Sequence, residues 1–221
     1  MIELYHIWKQ YQKPHWALSD ITLNIKKGEF HFITGPSGSG KTTLLRIVYR
    51  EIFPSLGQII IDGRNTLRIP EHRIYKLRRI MGIVFQDFRL IFQRRVFDNV
   101  GTVLQVLGVP RKEIRRKVFN ALRMVNLQHK MWEYPSRLSY GEQQRVAIAR
   151  AVVNNPKIIL ADEPTGNLDP ELAFEIMSLF KEINKQGTTI IVATHDRELI
   201  RHFGYKILFL QQGKLIGKEG L

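Results

Sequence analysis

Cysteine is absent from the 221 residues. That excludes a disulfide framework, a cysteine-ligated zinc site and a thiol nucleophile. Long apolar runs are missing as well. Although 44% of the residues are hydrophobic, no run approaches the ~18 needed for a membrane-spanning helix. The opening nine residues lack the basic-then-apolar order of a secretory signal. The expectation is a cytoplasmic chain, free or peripheral to a membrane. Acidic residues are scarce, 20 against 34 Lys and Arg, for a net charge of +14. The imbalance is local: residues 64–123 hold 15 Lys/Arg and four acidic residues (Glu71, Asp87, Asp98, Glu113). A basic field suits an anionic neighbour such as a phospholipid leaflet or nucleic acid, though a solvated helical face has the same composition.

What is present reads as one domain with an α/β pattern. Residues 30–34, 58–62, 157–161 and 189–193 form short apolar runs that predict strands, the last two apolar throughout, as strands buried on both faces are. Residues 206–210 and 214–216, separated by Gln211-Gln212-Gly213, predict a closing hairpin. Helical spacing appears over 41–52, 74–79, 96–107 and 111–125, with Pro110 well placed to start the last. These pieces predict an α/β core with a mostly parallel sheet. Residues 88–150 read as a helical subdomain inserted between core segments 1–87 and 151–221.

Gly35-Pro36-Ser37-Gly38-Ser39-Gly40-Lys41-Thr42 follows a predicted strand and opens a predicted helix. It fits the G-x-x-x-x-G-K-[ST] phosphate loop. Polyphosphate held away from water needs several aligned donors. Glycines let backbone N–H groups turn inward, and the helix N-terminus adds its dipole. Lys41 can reach β- and γ-phosphates, Thr42 can ligate Mg²⁺, and Thr43 extends the cradle. A Ser/Gly turn beside a helix is the bland alternative, and the strand–loop–helix context argues against it. The strand at 157–161 runs into Asp162-Glu163-Pro164. Its carboxylates fall at the carboxyl edge of the sheet, where α/β ligands bind. Asp162 suits Mg²⁺, and Glu163 can polarise an attacking water. Leu138-Ser139-Tyr140-Gly141-Glu142 places a serine N-cap and a capping-box glutamate at a helix N-terminus, a ready anion site.

These three segments, in this order, resemble those of the ATP-binding-cassette ATPases. The family's signature reads Leu-Ser-Gly-Gly-Gln, and this chain carries Tyr140 where glycine is usual and Glu142 where glutamine is common. The resemblance spans residues 11–213 and implies a P-loop core with an added antiparallel β subdomain. It implies ATP and Mg²⁺ as ligands, and a homodimer closed by ATP in which Ser139, Gly141 and Glu142 of one copy face the phosphate loop of the other. It further implies that Tyr11 stacks on adenine, that Gln86 contacts Mg²⁺ and water, that Asn167-Leu168-Asp169 belong to the loop reaching across the dimer, and that His195 reaches the γ-phosphate. Lys41, Gln86, Glu163 and His195 would then form the catalytic set.

Residues 162–169 and 141–145 are similar to the branch of the family that drives mechanotransmission or lipoprotein export. Residues 85–90 and 96–100 are similar to its cell-division members, with Gln93 and Arg95 where aspartate and threonine are common there. That similarity implies an integral membrane partner governing cell-wall hydrolases, with the chain at the cytoplasmic face of the membrane and its basic residues towards an anionic inner leaflet. Transporters of lipoproteins, macrolides or polar amino acids use the same motor and remain open. DNA-repair relatives carry coiled-coil insertions or zinc modules, for which this chain has neither room nor cysteines, so no nucleic-acid partner is expected. An Asn-Lys-x-Asp guanine reader is absent.

Overall fold

The computed structural model of the chain describes residues 1–12 and 14–219. In chain order the strands are β1 (Ile2–Gln12), β2 (His15–Ile25), β3 (Phe30–Thr34), β4 (Leu56–Ile61), β5 (Arg64–Asn65), β6 (Met81–Val84), β7 (Ile158–Asp162), β8 (Thr189–Ala193), β9 (Lys206–Gln211) and β10 (Lys214–Glu219). The helices are α1 (Lys41–Val48), α2 (Tyr75–Arg78), α3 (Val96–Val106), α4 (Arg111–Met124), α5 (Tyr140–Val152), α6 (Pro170–Lys185) and α7 (Arg197–Phe203). A four-stranded antiparallel sheet has the order β2-β1-β4-β5, and a six-stranded sheet has the order β10-β9-β3-β8-β7-β6. In the latter, β9, β3, β8, β7 and β6 run parallel and β10 closes the edge antiparallel to β9.

The period of two along each strand sorts side chains between two cores. Ile158, Leu160, Ile191 and Ala193 pack towards α1 and the antiparallel sheet. Ile159, Ala161, Ile190 and Val192 pack on the opposite face against α5, α6 and α7. Both faces are covered, which explains why these strands are apolar at every position. The helix α1 is wedged between the two sheets through Leu44, Leu45, Ile47 and Val48. Between β6 and β7, α3, α4 and α5 bury Val100, Leu104, Val118, Leu122 and Val146 against one another.

Two local readings are corrected. α1 stops at Val48, not at residue 52, because Arg50 takes a left-handed backbone (φ 57°). Its guanidinium turns inward to the Thr66 carbonyl (2.6 Å) and Glu71 (3.1 Å). The strand β7 begins at Ile158 and extends through Asp162. The long strands β1 and β2 carry no clean alternation, because the ladder slips at several points and His6 and Asp20 have positive φ.

Candidate functional site

Four neighbouring strands of the large sheet empty onto one edge. β3 leads into Gly35, β6 into Gln86, β7 into Glu163 and β8 into His195. They border a cleft of about 540 Å³ lined by the loop from Pro36 to Thr43 together with Ala17, Gln86, Glu163 and His195. The loop is shaped by close approach. A Cβ on Gly35 would lie 1.9 Å from the Leu210 carbonyl oxygen, and one on Gly40 would lie 2.7 Å from that of Ala17. Both glycines also have positive φ, so no other residue fits there without strain. α1 begins at Gly40 with no side-chain cap and no acidic residue in its first turn. Its leading N–H groups are left for an anion.

Lys41 is buried, and among the described residues it donates to the Gly35 and Pro36 carbonyls (2.8 and 3.2 Å), with Glu163 Oε1 at 4.0 Å. The Ser39 hydroxyl is buried with no hydrogen-bond partner among the described residues. A cationic Nζ resting on carbonyls, an orphaned hydroxyl and bare helix amides form a donor set that fits polyphosphate. Thr42 Oγ1 donates to Asp162 Oδ1 at 3.2 Å. Burial pushes the Asp162 carboxyl up, against the Thr42 hydrogen bond and the Lys41 charge. With Gln86 on the same cleft, these oxygen donors suit a hard divalent cation such as Mg²⁺. Glu163 sits just past the strand with φ 45°, its N–H held by the Ala193 carbonyl (2.8 Å). That aims its carboxylate at His195 Nδ1, 3.0 Å away. Tyr11 is exposed beside the loop, its hydroxyl 3.5 Å from Thr43 Oγ1.

The family to which these parts belong is now decided. The ABC transporter family matches residues 18–166. The chain is 42% identical to the cell division ATP-binding protein FtsE of Streptococcus pneumoniae over 219 residues, covering 99% of this chain and 95% of that protein. It is 44% identical to FtsE of Escherichia coli over 220 residues, covering 100% and 99%. Among solved structures, a dimeric bacterial ABC transporter cassette, MJ0796, superposes with a TM-score of 0.92 at 40% identity, covering 100% of this chain and 99% of that one. The same cassette bound to ADP and Pi in a post-hydrolysis state matches equally well. The chain belongs to the ABC family. It is an ATPase with the family's α/β fold, and it binds ATP.

The remaining candidate residues of this ABC ATPase lie elsewhere on the chain. Ser139, Gly141, Glu142 and Asp169 are not among the described residues lining the cleft. Ser139 caps α5, its Oγ accepting from the Glu142 N–H (3.3 Å) while Glu142 Oε2 accepts from the Ser139 N–H (3.0 Å). Capping uses the acceptor side of the Ser139 hydroxyl and leaves its proton to donate. The other Glu142 oxygen is paired with Lys130. Burial opposes ionisation of Glu142, but Lys130 and the Ser139 N–H outweigh it and hold the group below the usual carboxylate range. Gly141 lies under α6, where a Cβ would meet Leu172 at 2.1 Å. Asp169 caps α6 through the Leu172 N–H (2.9 Å).

Sequence reasoning missed Ala17, which lines the cleft, and Arg150, which donates to the Phe88 and Arg89 carbonyls and so fixes the segment after Gln86. Neither has a local signal, since each acts across a long stretch of chain. It also missed α6, although Asp169-Pro170 followed by Ala173, Ile176, Met177, Phe180 and Ile183 carries a cap, a first-turn proline and helical spacing.

Proposed function

We propose that this chain is the ATP-hydrolysing subunit of a cell-division membrane complex, and that two copies grip ATP between them. Support for the sandwich comes from one observation. The cleft offers Lys41, Thr42, Glu163 and His195, while the exposed Ser139 tip of α5 stands apart with a free hydroxyl proton. A triphosphate on one loop is therefore completed by the other copy's α5, with Tyr11 against the base and Asp169 near the shared interface. Thr42, Asp162 and Gln86 would hold Mg²⁺, which when bound supplies charge neutralisation on the phosphates. Glu163, oriented by His195, holds and deprotonates the attacking water. Lys41 and His195 then balance the charge that moves onto the leaving oxygens. Replacing Glu163 with glutamine is expected to lower the hydrolysis rate about 10²–10⁴-fold while ATP still binds. A variant that hydrolyses ATP at the normal rate would remove Glu163 from this role.

Among the described residues no helix is long and apolar enough to cross a membrane, so work done on ATP is delivered to another protein. A groove of about 670 Å³ between α2, β6 and α3 is lined by Ile74, Tyr75, Phe85, Val103, Val106 and Leu107. Val106 is 78% exposed there. We assign this groove to a cytoplasmic segment of an FtsX-like integral membrane protein, as the FtsE relatives suggest. Residues 88–150 would swing about Gln86 against the core and carry the motion to it, with the chain peripheral to the inner leaflet. The solved MJ0796 cassette favours one second reading, a transporter subunit with the same motor and a different permease.

A further inference from the structure

A second basic site lies on the far side of α2 from the partner groove. We propose that it binds the phosphate of an anionic phospholipid headgroup. The pocket holds about 580 Å³ and is lined by Arg64, Arg68, Arg73, Lys76, Arg79 and Lys157. Asp62 is the one acidic residue among its described lining, and it is already paired with Lys157 at 2.7 Å. Glu71, close by in sequence, is taken by Arg50. Among the described residues no carboxylate lies within 4.0 Å of the other five cations. All six cations are exposed, so water screens their mutual repulsion, and an anion in the concavity would meet several of them at once. Arginine forks match phosphate oxygens better than any other side chain.

This pocket is separate from the nucleotide cleft. Arg79 precedes β6 and Lys157 precedes β7, so it opens at the amino ends of strands whose carboxyl ends meet ATP. The floor is apolar, through Ile61, Ile69 and Leu77, which suits a glycerol backbone beneath a phosphate. The source of the anion follows from position, and here the inference rests on the groove reading above. Residues Arg73 and Lys76 line the pocket while Ile74, Tyr75 and Arg78 line the groove, and Arg79 borders both. An anion bound here sits beside the segment engaged by a membrane protein, where lipid phosphates are dense. Six cations against one carboxylate also call for more negative charge than a single acidic side chain carries. Arg111, Arg115 and Arg116, on the exposed face of α4, are not among the residues lining this pocket.

The test is flotation of the isolated full-length chain, saturated with ADP so that the phosphate loop is filled. Vesicles of phosphatidylcholine with and without phosphatidylglycerol are compared. The variant R68A/R73A/K76A is set against R111A/R115A/R116A, which removes the same charge. Each cation at an anionic surface is worth about fivefold in affinity, so the pocket variant should lose on the order of 100-fold. The α4 variant should lose less than about tenfold, and glycerophosphoglycerol should compete with the vesicles. Both variants should keep the basal ATPase rate and melting temperature, which excludes misfolding. Equal losses in the two variants, or none, would overturn the pocket. Pocket-dependent binding of inorganic pyrophosphate without vesicle binding would overturn the membrane source. So would pocket-dependent binding to the membrane partner without vesicle binding, which would mark an acidic protein segment as the ligand. The membrane partner is absent from the vesicle assay, so its failure leaves the groove reading standing and separately testable.

Discussion

Tyr140 ties together two loops that flank the catalytic edge. Its ring packs on Phe88 (centroids 4.5 Å apart), and its hydroxyl accepts from Asn167 Nδ2 at 2.7 Å. Phe88 and Arg89 both have positive φ and are pinned by Arg150. Tyr140 therefore connects the segment after Gln86 with the loop after Glu163, a link a glycine could not make. A double-mutant cycle of Tyr140→Phe and Asn167→Ala, read by urea denaturation, should show a coupling of about 0.5–1 kcal/mol. A coupling of zero would mean the bond does nothing for the fold. Lys41 and Thr42 are legible in the phosphate-loop spacing, Asp162 and Glu163 at the end of an apolar strand, and His195 through the family resemblance; the cleft brings Lys41, Thr42, Glu163 and His195 together. The engagement of Tyr140 was hidden, since its partners sit in distant segments and neither forms a motif with it.

Elements carry their own electrostatics. At the start of β3, Glu29 accepts from Lys206 of β9 (2.5 Å) and contacts His31 (3.0 Å). Burial opposes ionisation of Glu29, but bonds from Lys206, His31 and the Lys26 N–H outweigh it and hold the carboxyl down to about 2. Burial also pushes His31 down, against its bond to Glu29. Both folded-state values lie below the unfolded ones, so both stabilise at higher pH. The His31 contribution is present above its ordinary value of 6.5 and falls away below it. The Glu29 contribution is full above 4.5 and is lost as pH drops towards 2. Glu29→Gln should therefore melt at a lower temperature than the native chain at pH 7, with the gap narrowing by pH 3. A gap independent of pH would contradict this origin. β7 and β8 were legible because their apolar runs are too short for a helix, whereas β6 (Met81–Val84) was not read as a strand. β1 was not, because the backbone turn at His6 (φ 50°) resets which side chains face inward. Only pairing with β2 and β4 defines it.

For the whole molecule, the proposed function requires hydrolysis at one edge to reach a partner at another. The groove between α2 and α3 touches Phe85, next to Gln86, and thus borders the segment proposed to move with nucleotide. Val106→Glu places a charge on the exposed face of α3. It should weaken binding to an FtsX-like partner by at least about tenfold, measured by co-purification, and leave the ATPase rate of the isolated chain unchanged. A mostly parallel sheet could be expected from the pattern of runs, but its strand order and the two apolar cores it separates are visible only in the structure. The groove was hidden because it joins residues 74–85 to 102–107 and 150–154; the basic pocket draws on residues 61–80, whose charge was legible, but its concavity and the approach of Lys157 were not.

The central claim is that ATP is held between two copies of this chain. The most direct measurement is the mass of the Glu163→Gln variant in solution, with and without ATP and Mg²⁺, by light scattering after gel filtration. The mass should double with ATP, and adding Ser139→Arg should keep it at that of one chain. A single-chain mass at saturating ATP, with nucleotide demonstrably bound, would contradict the account.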